Sequence, residues 1–237
     1  MKKEHTLYLI PTPLGKEKEN HTLPEYTLST ARRLSTFIVE KPQTAVSFLK
    51  WINHPLPDFK ITFRVLNKKT PDHEVLSLLR LLEEGDVGLM SEAGLPAVAD
   101  PGSGFISLVH EQGYQVVPLT GPSSIFLALM ASGLNGQQFS FHGYLSLNEK
   151  ERISELRFME DFSLRSGHTQ IFIETPHRSS MLASLLIELL SPATRLCIAT
   201  NLTLPGEQIT SMRISEWRET GLPDLQKQPS IFLFSAG

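Results

Sequence analysis

The sequence has very little cysteine, with only Cys197 among 237 residues. One thiol cannot form an internal disulfide, and it cannot build a metal site from several thiolates. The eight histidines are scattered along the chain without the spacing of metal ligands. We therefore expect neither a disulfide-stabilised scaffold nor a metal centre.

Long apolar runs are missing as well. No stretch approaches the roughly 18 continuous apolar residues of a membrane-spanning helix. Residues 1–5 are charged and lead into a strand-like stretch without the apolar core of a signal peptide. The phosphate-binding P-loop, the Gly-x-Gly-x-x-Gly dinucleotide motif and the Gly-x-Ser-x-Gly nucleophile elbow are also absent. We expect a cytoplasmic protein that does not bind a membrane.

The net charge of -3 conceals an uneven distribution. Residues 1–70 carry a net charge of +6, and the rest of the chain carries -9. A basic half could bind a polyanion such as RNA. Alternatively, these lysines and arginines only solvate exposed faces, since no dense basic cluster is visible in the sequence.

Hydrophobic residues make up 41% of the chain, which is enough for a large buried core. In the first half, short apolar strands alternate with helical patterns. This alternation predicts parallel βαβ units in an open sheet. The predicted strands lie at 7–10, 37–39, 61–66, 87–90 and 115–118, and the predicted helices at 27–35, 43–52, 71–85 and 102–112.

In the second half the strands follow one another more closely, which predicts a mixed sheet. Thr175 and Pro176 are expected to cap and open a helix with a leucine-rich apolar stripe. We place the domain boundary near residue 120, giving α/β domains at 1–119 and 120–237. The predicted strands here lie near 138–142, 170–173, 195–199, 207–213 and 230–234, and two further helices lie at 125–131 and 148–162.

Three unusual turns follow apolar strands of the first half. They are Pro11–Gly15, Ser91–Gly104 and Thr120–Ser124. In an open α/β sheet, ligands bind beyond the carboxyl ends of the strands. The middle turn is either an ordinary crossover or a loop in which Gly94 lets backbone approach a ligand without a Cβ in the way.

Two shorter segments are also candidates for a site. Gly121-Pro122-Ser123-Ser124 precedes a helix, so it could bind a phosphate, a carboxylate or adenine nitrogens, or it could simply cap the helix. Glu174-Thr175-Pro176-His177-Arg178 ends a strand. It could supply a general base or a substrate clamp, or it could be surface capping.

Together these segments resemble the tetrapyrrole methylase superfamily of S-adenosylmethionine-dependent methyltransferases. The branch they resemble most is that of the bacterial 16S rRNA cytidine 2′-O-methyltransferases, of which this chain would be a divergent member. The matching stretches are Leu7–Gly15, Ser91–Pro96 with Asp100–Gly102, Pro118–Ser124 and Glu174–Arg178.

The resemblance implies two α/β domains with a cleft between them that holds S-adenosyl-L-methionine, usually in a homodimer. It places cofactor contacts on residues of both domains: Leu14, Gly94, Leu95, Val98, Ser123, Ser124, Ile173, Asn201 and Ser230.

Several stretches depart from the rRNA branch. Val39-Glu40-Lys41-Pro42-Gln43 stands where the branch has Ala-Glu-Asp-Thr-Arg, and Ala199–Thr203 replaces Ala-Arg-Glu-Leu-Thr. Glu92 replaces Asp, and Leu95 replaces Thr. The cofactor loops are thus better kept than the charges expected to face the substrate.

The resulting expectation is a methyltransferase that methylates a ribose hydroxyl of 16S rRNA or of the small ribosomal subunit. The alternatives are a tetrapyrrole or other small acceptor, and a non-catalytic protein that binds cofactor or RNA. A hydroxyl is a weak nucleophile that benefits from a general base. The candidate bases are Glu40, Glu92, Glu174 and His177, with Arg178 orienting the substrate.

Overall fold

The computed structural model describes residues 3–16 and 21–237. The first two residues of the charged N-terminal stretch lie outside this range. The chain divides into two compact units, Met1–Ser123 and Ser124–Gly237. The predicted boundary between residues 119 and 120 lies four residues before this division.

The first unit contains a five-stranded parallel sheet with the order β3-β2-β4-β1-β5. The parallel sheet predicted for the first half is therefore confirmed. Its strands are β1 (Thr6–Ile10), β2 (Thr36–Val39), β3 (Thr62–Val65), β4 (Val87–Met90) and β5 (Gln115–Pro118). Its helices are α1 (Glu25–Arg33), α2 (Pro42–Trp51), α3 (Asp72–Ser77), α4 (Leu81–Glu84) and α5 (Ser103–Glu111).

The helix predicted over residues 71–85 is interrupted by a tighter 3₁₀ turn. The turn spans Leu78–Arg80 and separates α3 from α4. The backbone stays right-handed, but ψ is -24° at Leu78 and -27° at Arg80. Such values favour i→i+3 over i→i+4 hydrogen bonds.

Apolar side chains cover both faces of the first sheet, as a buried parallel sheet requires. One cluster includes Ile10, Phe37 and Met90, and the other includes Leu7 and Phe105. The strand interiors are thus occupied by core side chains, and the carboxyl ends of the strands remain for a site.

The second unit contains a mixed sheet with the order β6-β7-β10-β8-β9. Only the β6–β7 pair is parallel, which confirms the predicted mixed sheet. The strands are β6 (Phe139–Tyr144), β7 (Thr169–Glu174), β8 (Arg195–Thr200), β9 (Gln208–Arg213) and β10 (Ser230–Ser235). The helices are α6 (Ser124–Ser132), α7 (Glu149–Ser166), α8 (Ser179–Leu189) and α9 (Ile214–Thr220).

The core of the second unit forms around β7, β8 and β10. The rings of Phe172 and Phe232 stack with centroids 5.8 Å apart. The buried indole of Trp217 donates a hydrogen bond to the Leu196 carbonyl at 3.0 Å, so its polar atom is satisfied. Within the described residues, no helix is both long and apolar enough to span a membrane.

Candidate functional site

The turns after β1 and β4 are joined by a two-way backbone bridge. The Thr12 amide donates to the Gly94 carbonyl at 3.0 Å, and the Gly94 amide donates to the Thr12 carbonyl at 3.1 Å. The Thr12 hydroxyl also donates to the Ser91 carbonyl at 3.4 Å. The structure therefore brings together two of the three turns predicted to form a site.

The third turn approaches the same place. A Cβ built on Gly94 would lie 3.2 Å from the Leu14 side chain and 3.6 Å from the Pro122 carbonyl oxygen. Gly94 also has φ +73°, a left-handed conformation that favours glycine. A Cβ on Gly121 would lie only 2.2 Å from Pro11. Glycine is needed at both positions for three backbone segments to converge.

The loop between β4 and α5 holds further left-handed residues. Ala97 has φ 64° and Ala99 has φ 63°, and left-handed backbone is costly for a residue with a Cβ. Val98 lies between them with 42% of its surface exposed, while Leu95 is half-buried. Non-glycine residues in such conformations cluster at functional sites.

A cavity of about 590 Å³ opens beside this junction, lined entirely by residues of the first unit. Thr12 belongs both to the cavity wall and to the bridge with Gly94. The wall also contains Phe48 and Trp51 of α2, whose ring centroids are 6.1 Å apart. The remaining described wall residues are Pro13, Gly15, Lys16, Val39, Glu40, Lys41, Gln43, Thr44, Ala45, Ser47, Met90, Ser91 and Glu92.

Glu92 is held at the cavity by two partners from the β2–α2 segment. Lys41 Nζ lies 2.6 Å from one carboxylate oxygen, and the Thr44 hydroxyl donates to the other at 3.0 Å. Because Lys41 is exposed, this ion pair adds little stability. Its effect is to orient the Glu92 carboxylate, and hydrogen bonding with Glu92 raises the pKa of Lys41.

Two further carboxyl groups act on one another electrostatically near this cavity. Burial, followed by the negative charges of Asp100 and Glu92, raises the pKa of Glu40 above its ordinary value. Burial also raises the pKa of Asp100, although a hydrogen bond with Ser91 and the charge of Lys68 oppose this. A carboxyl group with a raised pKa is a better proton acceptor once ionised.

In the second unit, the predicted candidates Glu174, His177 and Arg178 lie after β7. The expectation that Thr175 and Pro176 open a helix is wrong, because α8 begins at Ser179 and residues 176–178 form a turn. The Glu174 carboxylate accepts the Thr175 amide at 2.6 Å and lies 3.0 Å from Arg178 Nη2. Both contacts lie between the end of β7 and this turn.

The Glu174 side chain is fully buried, whereas that of Arg178 is 23% exposed. The pair at 3.0 Å lacks hydrogen-bond alignment, so the attraction is mainly between charges. The His177 side chain is exposed. The position of Glu174 therefore favours a structural role over that of a base.

We expect Arg178→Met to destabilise the protein strongly, because it leaves a buried carboxylate without its counter-charge. The free energy of unfolding should fall by about 3 kcal/mol, measured by urea denaturation near neutral pH. The double variant Glu174→Gln/Arg178→Met should recover most of the loss. Equal stability of the single and double variants would contradict the proposed pairing.

Three other predicted cofactor residues lie near the same edge of the second sheet. Ser230 pairs with Glu174 on one side and with Thr200 on the other. Ile173 is the residue before Glu174 on β7. Asn201 follows β8, and its side-chain amide donates to Gln228 Oε1 at 2.9 Å.

The remaining two predicted cofactor residues stand where the two units divide. Ser123 and Ser124 are both half-buried, and Ser124 is the first residue of α6. The cofactor roles assigned to all these residues stay predictions.

Sequence reasoning missed the aromatic wall of the cavity. Phe48 and Trp51 are three positions apart on α2, a spacing that places both on one helix face. In the sequence this spacing is equally typical of a core-facing helix. The signal available was the Glu40-Lys41 pair immediately before the helix, which places charge beside the aromatics.

Comparison with known proteins places this chain in a recognised family. Residues 29–217 match the family model described as Tetrapyrrole (Corrin/Porphyrin) Methylases. A ribosomal RNA small subunit methyltransferase I from Bacillus subtilis is 29% identical over 89% of this chain and 68% of that protein. The protein of the same name from Vibrio cholerae is 29% identical over 89% of this chain and 69% of that protein.

A third protein of this name, from Micromonospora olivasterospora, is 32% identical over 89% of this chain and 64% of that protein. The chain thus spans about two thirds of the length of these relatives.

Solved structures share the fold over nearly the whole chain. A crystal structure of the methyltransferase CobJ has a TM-score of 0.64 at 14% identity, covering 99% of this chain and 95% of that one. The native uroporphyrin III C-methyl transferase from Thermus thermophilus has a TM-score of 0.58 at 16% identity, covering 97% of both. The resemblance seen in the sequence is therefore confirmed: the chain belongs to the tetrapyrrole (corrin/porphyrin) methylase family and is a methyltransferase.

Proposed function

We propose that the protein transfers a methyl group from S-adenosyl-L-methionine to a ribose 2′-hydroxyl of small-subunit ribosomal RNA. The observation that carries this proposal is the Thr12–Gly94 bridge beside the cavity lined by Glu40 and Glu92. The names of the curated relatives support the RNA substrate.

The glycine-dependent junction fits a cofactor recognised mainly through backbone. Both polar backbone groups of Gly94 are paired with Thr12, and Leu14 and Pro122 lie against its Cα. Gly94 would therefore act by holding the turns together, and the ligand would contact the surrounding segments. The exposed residue Val98 and the Ser123 hydroxyl are further candidates for contact.

The cofactor would supply an electrophilic methyl group on a sulfonium. In the transfer, the ribose O2′ forms a bond to the methyl carbon, the S–CH₃ bond breaks, and its electron pair stays on sulfur. The O2′ proton then needs an acceptor. We assign that role to the Glu40 carboxylate, which lines the cavity and has a raised pKa.

The other candidate bases fit this role less well. Glu92 is already engaged by Lys41 and Thr44, and Glu174 is buried against Arg178. We infer that Glu92 positions the acceptor, because its oriented carboxylate can accept a hydrogen bond from an acceptor N–H or O–H group. Holding the reacting atoms in line can supply up to about 7–11 kcal/mol of the barrier reduction.

A methyl-incorporation assay tests the proposal. Small-subunit RNA lacking its native methyl groups should accept label from the cofactor, and fully methylated RNA should not. Precursor porphyrins and corrins should stay unlabelled in parallel reactions, because three carboxyl groups near the cavity disfavour an acidic macrocycle. Labelling of a tetrapyrrole instead of RNA would identify the acceptor as a tetrapyrrole. Cofactor binding without labelling of any acceptor would contradict the proposed methyl transfer.

We also propose that the protein acts as a homodimer in the cytoplasm. Sedimentation equilibrium should give twice the chain mass of 26.5 kDa. A monomer across the micromolar range would reject this assembly without affecting the proposed chemistry.

A further inference from the structure

Positive charge in the first unit is concentrated on one short segment. Residues 41–69 contain six lysines and arginines and a single acidic residue, Asp58. All six cationic side chains are exposed. We call this set the basic edge; its members are Lys41, Lys50, Lys60, Arg64, Lys68 and Lys69.

The fold places the basic edge along one side of the first sheet. The segment runs from the residue before α2, through α2 and β3, to the residues after β3, and β3 is the outermost strand of that sheet. The ten residues of α2 span about 15 Å, and this helix packs against β3. Exposed cations distributed along an edge strand and its neighbouring helix match a polyanionic strand better than a compact ligand.

The basic edge leads directly into the cavity of about 590 Å³. Lys41 belongs to both, and Phe48 and Trp51 line the cavity from the same helix that carries Lys50. A third aromatic side chain, Phe59, is 84% exposed and lies between Lys50 and Lys60 in the sequence. Cations interleaved with available aromatic rings are typical of single-stranded nucleic-acid binding, in which phosphates contact cations and bases stack on rings.

We propose that the basic edge is the docking surface for single-stranded RNA, and that the cavity receives one unstacked base against Trp51. This inference rests on the proposed function, because it deepens the assignment of RNA as the acceptor. Glu40, Glu92 and Asp100 would repel a phosphate inside the cavity. An uncharged base can enter there while the backbone stays on the basic edge.

The charge contribution is tested through the salt dependence of binding. A 12-nucleotide single-stranded RNA is titrated at several salt concentrations into wild type and into Lys60→Gln/Arg64→Gln/Lys69→Gln. Loss of three phosphate contacts should reduce the slope of log K against log salt by about 2. The matched control, Lys150→Gln/Arg157→Gln/Lys227→Gln, removes the same charge from exposed positions of the second unit and should keep the wild-type slope.

The base-stacking contribution is tested through tryptophan fluorescence. The chain has two tryptophans, and Trp217 is only 2% exposed, so quenching by RNA reports on Trp51. Trp51→Leu should weaken binding by about five- to 150-fold, as expected for loss of one stacked base. Trp51→Phe should stay within about threefold of wild type, and Phe158→Leu, which changes an exposed ring of the second unit, should have no effect.

Equal salt slopes for the two triple variants, or unchanged fluorescence on RNA binding, would overturn the inference. The proposed function is tested separately, by calorimetry of S-adenosylmethionine binding to the same proteins without RNA. If cofactor binding and RNA methylation persist while both RNA-docking tests fail, the enzyme assignment stays intact and the RNA docks at another surface.

Discussion

Gly94→Trp should abolish binding of S-adenosylmethionine and S-adenosylhomocysteine, weakening both by about 100-fold or more, which corresponds to roughly 2.7 kcal/mol. Calorimetry measures this directly. The reason is geometric: even a Cβ at this position lies 3.2 Å from the Leu14 side chain, and the left-handed φ of +73° disfavours any side chain. An indole would fill the space between the converging turns.

A matched substitution separates site loss from a general effect of tryptophan. Gly104 belongs to the same 91–104 stretch, and a Cβ there would meet nothing within 4 Å. Gly104→Trp should therefore bind both ligands as wild type does. If Gly94→Trp also bound them normally, with an unchanged circular dichroism spectrum, the cofactor would not bind at this junction.

Local patterns were sufficient to predict the strand framework and the convergence of the turns. Short apolar strands alternating with helices can bury both faces only in a parallel sheet. Parallel strands bring their carboxyl ends to one edge, so the turns after β1, β4 and β5 lie on the same edge, and the strand order β4-β1-β5 places them next to one another. The prediction followed from topology and needed no side-chain detail.

Contacts between distant residues could not be predicted in this way. Glu92 is anchored by Lys41, which lies 51 positions earlier in the sequence. No periodicity encodes such a pair. The predicted start of α8 was also wrong, because the helix begins at Ser179 although proline is favoured in a first helical turn.

Charge composition became informative only once the fold was known. The basic half of the sequence contains no dense cluster, and the cationic residues of the basic edge are spread over α2, β3 and the segments before, between and after them. Packing of α2 against the edge strand β3 brings them to one side of the sheet. An array made by tertiary packing leaves no signal in any short window of sequence.

Glu40→Gln should lower kcat by about 10²- to 10⁴-fold without changing cofactor affinity, because the amide keeps the shape of the carboxyl group but cannot accept the O2′ proton. In the wild type, kcat should fall as the pH drops through the raised pKa of Glu40. Asp100 raises that pKa and Lys41 lowers it.

Asp100→Asn should therefore move the acid limb of the kcat profile to lower pH, and Lys41→Gln should move it to higher pH, both at saturating RNA. Both substitutions remove a charge, but the removed charges have opposite signs, so charge acting on Glu40 would shift the acid limb in opposite directions. A general perturbation of the site would not produce opposite shifts. Shifts in the same direction, or a Glu40→Gln enzyme with wild-type kcat, would assign the proton acceptor to another group.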